Sequence, residues 1–189
     1  MNDIRQFLDE DHRGHLEHSA AELRKHSDRA NDLDTESRKQ YFYGITTVFP
    51  LMLLSHYYEW LTGKDVAEYM ERFVPVNERK YAPQTKAMLE CIYETPDSDV
   101  LWASAVSGYL ATYPYAILQE FANWALTEEQ AARMETFVQR ERETMLPQLA
   151  QRMGSFGNDP EGRVNAAVYL GGDFPFELLE RFHRLVVEP

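Results

Sequence analysis

Residues 44–60 read GITTVFPLMLLSHYYEW, and residues 108–124 read GYLATYPYAILQEFANW. The two stretches lie 64 residues apart, and without a gap they place Gly44 on Gly108, Pro50 on Pro114, Leu54 on Leu118 and Trp60 on Trp124. The match continues through Ala67/Ala131, Met70/Met134, Glu71/Glu135, Phe73/Phe137, Val74/Val138, Pro83/Pro147 and Gln84/Gln148. Both stretches are apolar almost all round, which marks central helices, and each carries one proline that removes an intrahelical hydrogen bond. The expectation is an all-α helical bundle built from two stacked copies of a roughly 64-residue helical repeat with proline-kinked long helices.

Working outward, the apolar residues keep a period near 3.6, and no stretch alternates as a strand does. Ile4, Phe7, Leu8, Leu16, Ala20 and Leu23 predict a first helix over residues 3–26, followed by a polar linker. Asp34 or Thr35 can cap a helix over 36–61, and Gly63 ends it. A short amphipathic helix closed by Pro75 and another over 83–93 complete the first copy. In the second copy Thr127 and Gln130 form a capping box opening a helix to about Met145, and Pro147 precedes a last piece to Met153. Asp159 and Asp173 are positioned to cap two C-terminal helices, separated by Gly171 and Gly172. A chain of 189 residues suits one core, so residues 1–35 (helix and linker), 36–98 (first copy), 99–153 (second copy) and 154–189 (C-terminal helices) read as a single domain.

Charge narrows the functional classes. The net charge of −12 opposes binding to nucleic acid, which needs concentrated Lys and Arg. Residues 81–126 contain Lys86 as their sole base against Glu90, Glu94, Asp97, Asp99 and Glu120. An acidic surface there suits a basic protein partner, and it also suits simple solubility. The most apolar run, residues 45–54, is about half a membrane span and reads as a buried helix, so no membrane role is expected. The charged N-terminus lacks a signal-peptide run, and the lone Cys91 leaves no internal disulfide, which together suggest the cytoplasm.

Asp11, His15, His18 and Glu22 share one helix face at i, i+4, i+7 and i+11, and could ligate a metal if His56 with Glu59 or Glu180 with His183 joined them. The plainer reading is a polar face whose histidines sit beside their carboxylates. Phosphate-cradling glycine loops, a nucleophile elbow and Cys/His spacings are absent. Tyrosine clusters such as Tyr41 to Tyr43, Tyr57 and Tyr58, and Tyr109, Tyr113 and Tyr115 read first as core rings with hydroxyls at the rim, and second as a recognition surface.

A long helix with paired tyrosines, then Leu61-Thr62-Gly63-Lys64-Asp65-Val66 and an amphipathic helix to Phe73, resembles bacterial immunity proteins of the PoNe immunity (PoNi) type. Asp99-Val100-Leu101-Trp102, leading into Tyr113 to Leu126, is similar to the later helical pair of that family. The resemblance implies a cytoplasmic, cofactor-free, non-enzymatic inhibitor that neutralises a cognate antibacterial toxin, often a nuclease with a basic catalytic domain. Glu90, Glu94, Asp97, Asp99 and Glu120, with Asp32 and Asp34 next, are the contact residues expected on the acidic side. Two alternatives stand beside it: a helical metalloenzyme using His15 and His18, and a homodimeric adaptor using the concave face of the repeat.

Overall fold

The computed structural model describes residues 3–10, 14, 49–94, 99–157, 162, 165, 166, 169, 170 and 173–189. At residues 49, 85, 88–94, 99–107 and 109–112 the description is of the backbone alone. All regular structure among the described residues is helical, and no helix there is long and apolar enough to cross a membrane. Residues 4–10 are helical as the N-terminal periodicity predicts, and most of the predicted first helix and linker lies outside the described residues.

Helix α1, Phe49–Thr62, buries Leu51, Leu53, Leu54, Tyr57 and Tyr58 and exposes Met52, His56 and Glu59. It stops at Gly63, whose φ of 66° only glycine adopts without strain and whose N–H reaches the Glu59 carbonyl at 2.8 Å. The Asp65 carboxylate accepts the Ala67 N–H at 2.7 Å and opens a π-helical turn, π1, Tyr69–Phe73. Helix α2, Val74–Glu94, follows directly and passes through both Pro75 and Pro83.

This overturns the expected break at Pro75. In the π turn the Val74 N–H bonds to the carbonyl of Tyr69, five residues back, so Pro75 enters in the first turn of α2, where a missing N–H costs little. The buried Asn77 amide donates to the Phe73 carbonyl at 2.8 Å and secures the junction.

Helix α3, Asp99–Ala125, contains Pro114 and spans about 40 Å at 1.5 Å per residue. It packs along α2 and against three helices that follow it: α4, Glu128–Ala132, α5, Met134–Thr144, and α6, Leu146–Ser155. The Thr127/Gln130 capping box forms with both of its hydrogen bonds. The helix it opens is parted at Arg133, between α4 and α5, where the expectation was one helix to Met145; Pro147 then stands in the first turn of α6. Helix α7, Asp173–Phe182, continues into a second π-helical turn, π2, His183–Val187.

One hydrophobic cluster collects residues from Ile4 to Val187, with aromatic rings at its centre. Tyr57 lies 5.7 Å from Phe121, which lies 6.1 Å from Phe73 and 6.2 Å from Phe182. Trp124 packs 4.8 Å from Tyr58 and 5.5 Å from Phe73. Each such ring pair adds about 0.5–1.5 kcal/mol to the burial of its area.

Candidate functional site

The acidic residues nominated from the sequence divide between two places. Glu90 and Glu94 occupy the last turns of α2, and Asp99 opens α3, so the ends of two mutually packed helices bring these three positions to one corner of the molecule. Asp99 sits where the positive end of the α3 dipole favours a carboxylate. Glu90 and Glu94 sit at the negative end of α2, whose last turn has no base, an arrangement that costs a few tenths of a kcal/mol. Asp97, in the connection between these helices, lies outside the described residues, as do Asp32 and Asp34.

Glu120 belongs elsewhere. It stands about 30 Å along α3 from Asp99 at 1.5 Å per residue. Its carboxylate accepts the Lys80 ammonium and, at 3.4 Å, the Tyr81 hydroxyl. The Glu120 hydrogen bond is the first cause of the upward shift of the Lys80 pKa. Lys80 precedes the acidic stretch in sequence, and only the α2/α3 packing brings the two together.

Further ion pairs hold several of the described cations: Arg72 with Glu68, Arg133 with Glu129, Arg152 with Glu177, and Arg184 with Glu180. Exposed carboxylates at Glu59, Glu71, Glu78, Glu128 and Glu135 have no ion-pair partner among the described residues. Among the described residues these exposed carboxylates are spread over α1, π1, α2, α4 and α5.

The candidate metal residues His15, His18, Asp11 and Glu22 lie outside the described residues. Of the residues expected to join them, Glu180 is held by Arg184 and His183 is buried in the core. No group of three or more His, Cys, Asp or Glu gathers for a metal among the described residues.

Two interior polar clusters were not anticipated. In one, Glu141, 1% exposed, accepts the Arg181 Nε–H with both oxygens at 3.2 and 3.0 Å, and its Oε2 accepts the Tyr115 hydroxyl at 3.3 Å. Burial, and then Glu141, push the Tyr115 phenol well above its ordinary pKa. In the other, the Tyr57 hydroxyl lies 2.7 Å from His183 Nδ1, and His183 Nε2 faces Glu188 Oε2 at 3.5 Å. A signal for the first was present in the sequence: Glu141 falls in line with Met134 and Phe137 at i, i+3 and i+7 on the apolar stripe of α5.

A cavity of about 30 Å³ completes the inventory. Its walls include Pro50, Leu53 and Leu54 of α1 and Pro114, Ile117 and Leu118 of α3, with Phe174 and Leu178 of α7 closing it. The α1 and α3 residues are three pairs separated by 64 positions.

No protein family matches the chain, and neither a curated protein nor a solved structure resembles it at a significant level. Fold and surface together define a class, an all-α protein with an aromatic core and an excess of exposed carboxylates.

Proposed function

We propose that the chain is a non-enzymatic binding protein of the immunity type, which neutralises a toxin with a basic catalytic domain in the cytoplasm of a bacterium. The observation that carries this reading is the disposition of charge. Arg72, Arg133 and Arg184 are tied to acids within the fold. Carboxylates without an ion-pair partner among the described residues, such as Glu59, Glu71, Glu78, Glu128 and Glu135, are exposed, and Glu90 and Glu94 occupy positions in the C-terminal turns of α2. Such a field attracts a cationic surface and speeds association with it. The interior acid and imidazole groups are compatible with the same reading, because Glu141 and His183 are buried and hydrogen-bonded within the core.

The corner where the α2 positions Glu90 and Glu94 meet Asp99 at the start of α3 is the contact surface, with Asp97 between them in sequence as a further candidate, and Glu120 is peripheral to it. The helical unit is used twice, the copies meeting at the cavity where Pro50, Leu53 and Leu54 stand beside Pro114, Ile117 and Leu118. Affinity purification from native cells tests the function. One stoichiometric partner with a basic catalytic domain, inactivated on adding the purified chain, supports it. A partner of that kind whose activity is unchanged by excess chain rejects it.

A further inference from the structure

His183 is 1% exposed, in the π2 turn five residues before Glu188. Trp60 and Tyr57 stand edge-on to its ring, with centroids at 5.4 and 5.9 Å. Phe7 of the N-terminal stretch packs on the same two rings, at 5.1 Å from Trp60 and 5.9 Å from Tyr57. The terminal segment is also gripped from outside: Gln130 Nε2 donates to the Val187 carbonyl at 3.1 Å and Arg133 Nη1 to that of Val186 at 2.9 Å.

Among the described residues the Tyr57 hydroxyl has His183 Nδ1 as its partner. The other ring nitrogen, Nε2, is buried and faces the Glu188 carboxylate at 3.5 Å. Because a carboxylate only accepts, the tautomer that suits both neighbours carries its proton on Nε2, and the Tyr57 hydroxyl donates to Nδ1. A second proton would occupy Nδ1, abolish its role as acceptor and turn the Tyr57 proton toward surrounding rings.

We propose that His183 is an acid-sensitive pin that docks residues 183–189 onto α1 and α4 when neutral and releases them when protonated. The charged groups around it act in both directions. Glu188 in its own segment and Asp3 in the N-terminal stretch favour the imidazolium, and Arg184 disfavours it. Arg133, flanking α4, is occupied by Val186 and Glu129. Burial outweighs these, and the folded pKa lies below the ordinary value of 6.5. The released state therefore binds the proton more readily. Docking is fully stable above the unfolded pKa and weakens as pH falls from there toward the folded one, by up to about tenfold in the opening constant per pH unit.

Hydrogen–deuterium exchange of the terminal amides between pH 7.5 and 5, corrected for intrinsic rates, tests the pin in wild type and His183→Gln. Glutamine can bond to Tyr57 but does not titrate. Wild type is expected to lose protection in residues 183–188 by several-fold to tenfold per pH unit in the window, while α3 stays protected and His183→Gln shows no such slope. Equal slopes in both proteins, or loss shared by α3, overturn the proposal. Should the variant not fold, NMR titration of wild-type imidazoles decides, since a His183 pKa at or above 6.5 also overturns it.

Discussion

At the scale of single residues, the contact between Glu141 and Arg181 shows how the interior tolerates charge. A carboxylate 1% exposed survives because a guanidinium and a phenol both donate to it, and breaking such a pair is costlier than never having built it. Glu141→Ala leaves Arg181 with an unpaired, largely buried charge and Tyr115 without an acceptor. Its expected cost is about 3–5 kcal/mol, read as a lower urea midpoint at unchanged slope. A loss under about 1 kcal/mol would mean that water replaces the carboxylate and that the pair is incidental. Tyr115 was legible as a core residue from its helical spacing, whereas its partner was not. Nothing in a linear sequence says that α7 will lay Arg181 across α5, forty positions away.

Among the elements, local chemistry was read well where it is local. The Thr127/Gln130 box and the Gly63 stop involve neighbours in the chain, and both occur. Thr127→Ala removes the side-chain acceptor for the Gln130 N–H, and about 1 kcal/mol should be lost in chemical denaturation. No change would show that Gln130, which also bonds to Val187, holds the turn without its cap. The π turns were not legible, because a register shift to i→i+5 leaves no mark in the hydrophobic period. One consequence is that Pro75 enters the first turn of a helix, as Pro147 does, whereas Pro83 lies inside α2. Arg133 parts α4 from α5, and its guanidinium finds a partner equally remote in sequence, the Val186 carbonyl. Glu120 follows the same logic. Its charge was evident and its neutralisation by Lys80 was a property of the fold.

For the molecule as a whole, two properties are testable together, the field it presents and the core it shares. If the α2/α3 corner receives a basic partner, reversing Glu94, Asp97 and Asp99 to lysine should slow association about tenfold or more at low salt and flatten its dependence on ionic strength. Unchanged association would move the contact to another face. The core is tested by Leu54 and Leu118, which are matched at an offset of 64 positions in sequence, are both buried, and line one cavity. Either residue cut to alanine should cost about 2–5 kcal/mol, the range for buried leucines whose surroundings relax incompletely. If each stretch had its own core, the two losses would add. Residues that share a cavity instead couple by about 0.5–3 kcal/mol, because the first truncation has already loosened the packing that the second would disturb. The double variant should therefore be more stable than the sum of the single losses predicts. Additivity within about 0.5 kcal/mol would mean that α1 and α3 meet at the cavity without depending on each other for stability.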